Sequence, residues 1–198
     1  MRIYLIRHGE TDWNKELRLQ GREDVPMNAC GEQQALECGN AMKGIEVDFI
    51  VTSPLQRAKK TAMLIARQIG VDKVLVEEDL IERDFGEASG ITYQEKNLKY
   101  VDCEIPGYET TEELMERMNR VVMKYYGIYP NGHVLMVSHG GAINSLVSEI
   151  TGGELGSGKT RLKNACITIL EVDANQMELV DYNLDAHEFM MKYVEDVL

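Results

Sequence analysis

The chain contains 198 residues and carries a net charge of −12 at pH 7, and 44% of its residues are hydrophobic. This length and apolar content predict one globular domain with a full core. The negative charge disfavours nucleic acid and anionic membranes as partners, because both would repel the chain. A binding site for an anionic substrate must therefore be a local cationic pocket within an acidic protein.

The beginning of the sequence and its cysteines predict a cytosolic location. Only four apolar residues, 3–6, precede Arg7 and His8, which is too short a run for a signal peptide. No apolar run approaches the roughly 20 residues of a membrane span. The cysteines are scattered, at positions 30, 38, 103 and 166, so neither a disulfide framework nor a zinc site is expected. We expect reduced thiols that lie mostly in the core.

Strand-like and helix-like runs alternate along the chain, which predicts an α/β fold with a largely parallel sheet. The predicted strands are residues 3–6, 49–52, 74–76, 134–137, 167–172 and 177–180. A turn signal at 173–175 separates the last two, so we expect an antiparallel hairpin at one edge of the sheet. An edge strand offers unpaired backbone groups to a second copy of the chain, and a homodimer is therefore an expectation.

Capping residues predict where the helices begin. Ser53 precedes Pro54 and lies three residues before Gln56, a pattern of N-cap, first-turn proline and capping-box partner. Thr110 and Glu113 form a second capping box ahead of an amphipathic run. These patterns predict one helix after the second strand and another before the fourth.

The remaining segments complete the predicted organisation. A third helix is expected between Gly140 and Gly152, directly after the fourth strand. No internal repeat, linker or low-complexity tract is present in the sequence, so residues 1–198 are predicted to form a single domain. Residues 86–109 are the least periodic stretch and contain several tyrosines. This segment is a candidate lid over the functional site.

Chemistry-bearing side chains stand close to the ends of the predicted strands. Arg7 and His8 follow the first strand, and His139 follows the fourth. Arg57 falls in the first turn of a helix, and Glu82 follows the third strand. Ligands of α/β sheets bind beyond the carboxyl ends of the strands, so these residues are expected to converge. A fixed cation beside a histidine that is partly neutral at pH 7 suits a phosphate group.

This set is sufficient for phosphoryl transfer through a phosphohistidine. His8 would attack phosphorus, and Arg7 and Arg57 would hold the phosphoryl oxygens. His139 would donate a further hydrogen bond to the phosphoryl group. Glu82 would protonate the departing alkoxide and then accept a proton from water, and a bound phosphate dianion favours the protonated acid by like-charge repulsion. No metal ion is required, because the arginines supply the positive charge.

Several motifs accompany these residues in a fixed order. They are Arg7-His8-Gly9-Glu10-Thr11 with Asn14, Gln20-Gly21, Ser53-Pro54-Leu55 with Arg57, Glu82 with Phe85-Gly86-Glu87, and Ser138-His139-Gly140-Gly141. The set resembles the histidine phosphatase superfamily, the cofactor-dependent phosphoglycerate mutase-like proteins. The resemblance implies a three-layer α/β/α sandwich with a mostly parallel central sheet. It also implies that His8 is the phosphoacceptor, that Arg7, Arg57 and His139 complete the phosphate pocket, and that Glu82 is the proton donor.

A second set of residues is expected to contact the phosphate or the rest of the substrate. It comprises Thr11, Asn14, Gln20, Gly21, Arg83 and Gly140. The chain departs from the common family pattern in three places. Ala88 follows Phe-Gly-Glu where many members carry an aromatic residue, Asn144 replaces arginine, and Thr110 replaces serine. These positions surround the pocket, so the identity of the substrate stays open.

Three functions fit these residues. The first is a phosphatase for a small phosphorylated metabolite that needs neither metal nor cofactor. The second is a phosphoglycerate mutase, which would use 2,3-bisphosphoglycerate. Mutases carry a longer basic insertion after the acid motif, whereas Lys96 and Lys99 are the only lysines between Gly86 and Thr110, which favours the phosphatase.

The third function is non-catalytic binding of a phosphorylated ligand. A binding protein would be expected to lose the nucleophile or the acid, and this chain retains residues for both. Glu87 and Glu109 are alternatives to Glu82 for the role of the acid.

Overall fold

The computed structural model describes residues 1–194, which form one six-stranded sheet with helices on both faces. The strands are β1 (Arg2–Arg7), β2 (Phe49–Thr52), β3 (Val74–Val76), β4 (His133–Ser138), β5 (Ile167–Val172) and β6 (Met177–Leu184). The helices are α1 (Asp12–Lys15), α2 (Ala29–Ala41), α3 (Gln56–Ile69), α4 (Tyr93–Lys99), α5 (Thr111–Ile128), α6 (Gly140–Ile150) and α7 (Ala186–Tyr193). The strand order is β3-β2-β4-β1-β5-β6, and the predicted three-layer sandwich is confirmed.

All six predicted strands are present, and the antiparallel hairpin at the edge is confirmed. Strands β1 to β4 pair in parallel, whereas β5 pairs antiparallel with both β1 and β6. Because β5 runs in the opposite direction, its first residue, Ile167, lies opposite Ile6 near the carboxyl end of β1. The loop that precedes β5 is therefore placed beside the ends of the parallel strands.

Alternation along the strands builds two cores, one on each face of the sheet. In β1, Ile3 and Leu5 pack in the core that contains α5 and α6, whereas Tyr4 and Ile6 pack against α2, α3 and α7. A strand that is buried on both faces reads as a continuous apolar run, which is typical of parallel sheets covered by helices. The two cores hold the carboxyl ends of β1 and β4 rigidly at the same edge.

The start of α3 differs from its prediction. The helix begins at Gln56, and its N-cap, Leu55, makes no side-chain capping hydrogen bond. Ser53 lies farther from the helix, where its Oγ accepts the Leu55 N–H and pairs with His139. The predicted capping box at Ser53 is therefore wrong, because this hydroxyl is used beside the functional residues. The box formed by Thr110 and Glu113 at the start of α5 is confirmed.

The segment 86–109 contains a helix that its lack of periodicity concealed. Helix α4 is seven residues long and has no buried residue, so it has no apolar stripe to reveal it. Its capping box, Thr92 with Glu95, is present in the sequence as a helix-start signal. The segment is fastened to the chain around Leu19, which accepts the Gly90 N–H and donates to Ile91. Its proposed movement as a lid stays a prediction.

A buried arginine fastens the turn that carries Glu82. Arg117 on α5 donates to both carboxylate oxygens of Glu109, at 2.6 and 2.9 Å. Its Nη1 also donates to the carbonyl oxygens of Asp79 and Ile81, at 2.7 and 2.6 Å. The side chains of Arg117 and Glu109 are 7% and 9% exposed. Arg117 therefore anchors the backbone immediately before Glu82 to helix α5.

The cysteines of this chain are split between the core and the surface. All four cysteines are free; Cys38 and Cys166 are buried, whereas Cys30 and Cys103 are exposed, so only half of them are core thiols. No helix within residues 1–194 is long and apolar enough to cross a membrane. In the same part of the chain, no group of three or more His, Cys, Asp or Glu side chains is arranged to hold a metal ion.

We predict that Arg117→Met lowers the free energy of unfolding by about 3 kcal/mol, because the buried Glu109 carboxylate would lose its two-bond partner and keep only the more distant Arg22, at 3.4 Å, and the Asp84 N–H. Arg120→Met is the matched control on the same helix. Its ion pair with Asp79 is 60% and 32% exposed, so its loss should cost less than about 1 kcal/mol. Urea unfolding of both variants measures the difference, and equal losses would contradict an anchoring role for Arg117.

Candidate active site

The five residues predicted to carry chemistry meet at the carboxyl-end edge of the sheet. A cavity of about 500 Å³ is lined there by Arg7, His8, Arg57 and Glu82. His139 is fully buried, with its ring centroid 5.1 Å from that of His8, and its neighbour Gly140 lines the same cavity. Four separate segments of the chain therefore surround one cavity.

The protonation of His8 follows from its surroundings. Its Nδ1 lies 2.7 Å from the carbonyl oxygen of Gly9. A carbonyl can only accept, so Nδ1 carries the proton and Nε2 keeps its lone pair. Burial, reinforced by the charges of Arg57 and Arg7, holds the pKa of His8 well below its ordinary value. At neutral pH His8 is therefore a neutral imidazole with an available nucleophilic nitrogen.

Carbonyl oxygens, not carboxylates, hold the two arginines of the cavity. Arg7 donates to Leu162 at 2.6 Å, and Arg57 donates to Glu23 at 2.6 Å and to Gly21 at 2.8 Å. Burial lowers the pKa of Arg57 to about 10, so its guanidinium stays protonated at neutral pH. The Nε atoms of both arginines are buried and have no acceptor within residues 1–194. Both side chains are thus oriented while their positive charge remains available to an anion.

Ser53 determines which nitrogen of His139 can donate. The Nε2 atom of His139 lies 2.7 Å from Ser53 Oγ, and this oxygen already accepts the Leu55 N–H. Burial, reinforced by Arg57, holds the pKa of His139 well below its ordinary value, so the ring is neutral and carries one proton. If the Ser53 hydroxyl donates to Nε2, that proton lies on Nδ1. The Nδ1 atom is buried without a partner in the described chain, so in this tautomer it is a spare donor.

Glu82 sits between the cavity and the first turn of α6. Its carboxylate accepts the backbone N–H groups of Arg83, Gly141 and Ala142, at 2.8, 3.0 and 2.9 Å. A Cβ atom at Gly141 would lie 2.7 Å from Glu82 Oε1, so glycine is required for this close approach. The side chain is 7% exposed, and the bonds aim it at the cavity.

The two alternative acids are placed elsewhere. Glu109 is engaged by Arg117 and by the Asp84 N–H, and Glu87 is exposed. Neither of them lines the cavity, whereas Glu82 does. Geometry therefore favours Glu82 as the carboxylate that can reach a bound substrate.

Most of the predicted substrate-contact residues line the same cavity. These are Asn14, Gln20, Gly21, Arg83 and Gly140. Thr11 is fully buried and caps α1, where its Oγ accepts the Asn14 N–H. It does not line the cavity but supports Asn14, which does, and its own contact with substrate stays a prediction.

Sequence reasoning missed one wall of the cavity. Residues 157–162, in the loop before β5, line it and bring Lys159 and Arg161 to the site. The signal was a Gly-Ser-Gly-Lys-Thr run, a glycine-rich basic stretch in an otherwise acidic chain. Only the antiparallel direction of β5 places this loop at the functional edge.

The comparisons with known proteins assign the family. Residues 3–185 match the model of the histidine phosphatase superfamily, branch 1. An uncharacterized phosphatase of Bacillus subtilis, PhoE, is 43% identical over 93% of this chain and 95% of its own. A probable phosphoglycerate mutase of Salmonella choleraesuis, GpmB, is 34% identical over 89% of this chain and 87% of its own. The chain therefore belongs to the histidine phosphatase superfamily.

A solved structure extends this likeness to the architecture. The phosphoserine phosphatase of Entamoeba histolytica, solved in complex with 3-phosphoglyceric acid, superposes with a TM-score of 0.81. It is 30% identical, and the match covers 94% of this chain and 98% of that one. The relatives thus include both phosphatases and a probable mutase.

We predict that the two buried histidines make the protein sensitive to acid. Their folded-state pKa values lie below the unfolded value of about 6.5, so below that pH the unfolded chain binds protons that the folded chain does not. Stability must then fall as pH falls. Between about pH 6 and pH 5, the wild type should lose about 2 kcal/mol more than the His8→Asn/His139→Asn double variant.

Urea unfolding at each pH, in buffers without phosphate, measures this difference. Carboxylates contribute to the slopes of both proteins, and the comparison therefore isolates the histidines. Parallel slopes would mean that His8 and His139 bind protons in the folded protein.

Proposed function

We propose that this protein is a metal-independent phosphatase that hydrolyses a small phosphomonoester through a phosphohistidine on His8. The observation that carries the proposal is a neutral His8 whose Nδ1 is bound to Gly9 and whose Nε2 has no partner within residues 1–194, beside two arginines that have no carboxylate partner in the same residues. A phosphate group would supply the acceptor that Nε of Arg7, Nε of Arg57 and Nδ1 of His139 lack.

In the first step, Nε2 of His8 attacks phosphorus and forms a nitrogen–phosphorus bond. The phosphorus–oxygen bond to the leaving group breaks, and the alkoxide takes a proton from the carboxyl group of Glu82. In the second step, the oxygen of a water molecule attacks phosphorus while Glu82 accepts a proton from that water. The bond to His8 breaks, and inorganic phosphate leaves. Arg7 and Arg57 hold the phosphoryl oxygens throughout, where their fixed charges stabilise the transition state.

A phosphoglycerate mutase is the second candidate, and the similarity to GpmB favours it. A mutase would return the phosphoryl group from His8 to a second hydroxyl instead of to water. Phosphate release from a panel of phosphomonoesters in EDTA, beside a 3-phosphoglycerate to 2-phosphoglycerate assay with 2,3-bisphosphoglycerate, separates the two. Metal-independent release supports the phosphatase, whereas fast interconversion with little release supports the mutase and silence in both supports ligand binding.

We predict that His8→Ala lowers turnover about 10³-fold or more, because the nucleophile is lost. The fold should survive, and circular dichroism checks this. His187→Ala is the control, since this histidine is exposed on α7. Base quenching of the wild type during turnover should trap protein-bound phosphate that His8→Ala does not accumulate. Retention of a tenth of the activity by His8→Ala would refute the phosphohistidine.

We predict that Glu82→Gln discriminates between leaving groups. Hydrolysis of glycerol 3-phosphate should slow about 100-fold, because its alkoxide needs a proton. Hydrolysis of p-nitrophenyl phosphate should slow less than about fivefold, because p-nitrophenolate leaves with little protonation. Glu87→Gln removes a neighbouring exposed carboxylate and should change neither rate. Equal losses on both substrates in Glu82→Gln would move the acid role to another group.

A further inference from the structure

The walls of the cavity carry more positive charge than one phosphate group requires. Its cationic side chains are Arg7, Arg18, Arg57, Arg83, Lys159 and Arg161, and its one carboxylate is Glu82. This excess occurs in a chain with a net charge of −12. A concentration of positive charge in one cavity of a negatively charged protein indicates an anionic ligand.

Three of these cations are uncommitted. Arg7 and Arg57 serve the phosphoryl group in the proposed mechanism, and Arg18 is paired with Glu16. Arg83, Lys159 and Arg161 form no ion pair with a carboxylate in the described part of the chain. Arg83 donates instead to the hydroxyls of Tyr108 and Thr111, at 3.2 and 3.4 Å.

The loop that carries Lys159 and Arg161 is held on both sides of Arg161. On one side, Asn144 donates to the carbonyl oxygen of Thr160 at 2.8 Å, and Tyr182 donates to Asn144 at 2.6 Å. On the other side, Arg7 itself donates to the carbonyl oxygen of Leu162. Arg7 and the loop 157–162 are therefore linked directly by a hydrogen bond.

Arg161 lines the same cavity as Arg7 and His8, and its charge has a minor influence on Arg7. Burial lowers the pKa of Arg7, and the positive charge of Arg161 adds to that effect. Tyr93 and Tyr108 line the same cavity beside these cations. The unpaired cations thus stand within the same enclosure as His8, where the leaving group of a phosphomonoester must lie.

We propose that Lys159 and Arg161 form a second anion subsite, and that the substrate is a phosphomonoester whose leaving group carries a carboxylate or a second phosphate. This inference rests on the proposed phosphatase function and specifies its substrate class. A phosphate dianion balances Arg7 and Arg57, which leaves the exposed Lys159 and Arg161, unpaired within the described residues, available to a second anionic group. The subsite confers specificity on the leaving group and takes no part in the chemical step.

Matched substrates test the subsite. 3-Phosphoglycerate and glycerol 3-phosphate differ only by a carboxylate in place of a hydroxymethyl group. Fructose 1,6-bisphosphate and fructose 6-phosphate form the second pair, and they test a distal phosphate. In the wild type, kcat/KM should be about tenfold higher for the doubly anionic member of at least one pair.

The variant Lys159→Gln/Arg161→Gln should reduce that preference about tenfold, to near equality. Lys43→Gln/Arg67→Gln is the matched control, because it changes the net charge by the same amount. Lys43, just after α2, and Arg67, in the last turn of α3, are both exposed. The control should keep the wild-type preference. Loss of the preference in both variants would mean that only the overall charge matters, which would overturn the subsite.

p-Nitrophenyl phosphate separates failure of this inference from failure of the proposed function. If wild type hydrolyses it but shows no preference in either matched pair, the subsite is overturned and the phosphatase stands. If the preference exists but survives in Lys159→Gln/Arg161→Gln, the subsite lies elsewhere and the inference is also overturned. If wild type hydrolyses none of the five esters, the proposed function itself fails.

Discussion

The site depends on keeping two guanidinium groups charged and buried without a carboxylate to neutralise them. Arg7 and Arg57 satisfy part of their hydrogen-bonding capacity with the carbonyl oxygens of Leu162, Glu23 and Gly21. Carbonyl dipoles orient a cation but leave its net charge in place. Burial is the main cause of the low pKa values of His8 and His139, and the charges of Arg57 and Arg7 lower these pKa values further. One constraint thus favours a neutral His8 and keeps positive charge at the wall of the cavity.

This arrangement costs stability while the cavity lacks an anion. Two histidines are held neutral in the interior, and three buried polar atoms, on Arg7, Arg57 and His139, have no partner within residues 1–194. Functional sites commonly retain such unsatisfied groups, and the surrounding fold compensates for them. Here the compensation comes from the two apolar cores that hold β1 and β4, and from Arg117, which fastens the turn before Glu82.

The acid and the loop before β5 complete the site from opposite directions. Glu82 reaches the cavity because Gly141 has no side chain and because the first turn of α6 offers its N–H groups. Lys159 and Arg161 reach it because Asn144 and Arg7 hold the backbone on either side of Arg161. Arg7, His8 and His139 thus stand at the ends of parallel strands, whereas Lys159 and Arg161 stand on a loop that leads into the antiparallel strand β5.

The sequence alone determined the strands, the helix starts at Thr110 and after His139, and the candidates Arg7, His8, Arg57, Glu82 and His139. Each rests on a local signal: an apolar run, a capping pair, or a polar residue directly after a strand. Local signals misjudged Ser53 because its hydroxyl had two possible uses, and only packing decided between them. The loop at 157–162 was missed for a different reason. Its role depends on the direction of β5, which is decided by which strands pair, and pairing is a property of the tertiary structure.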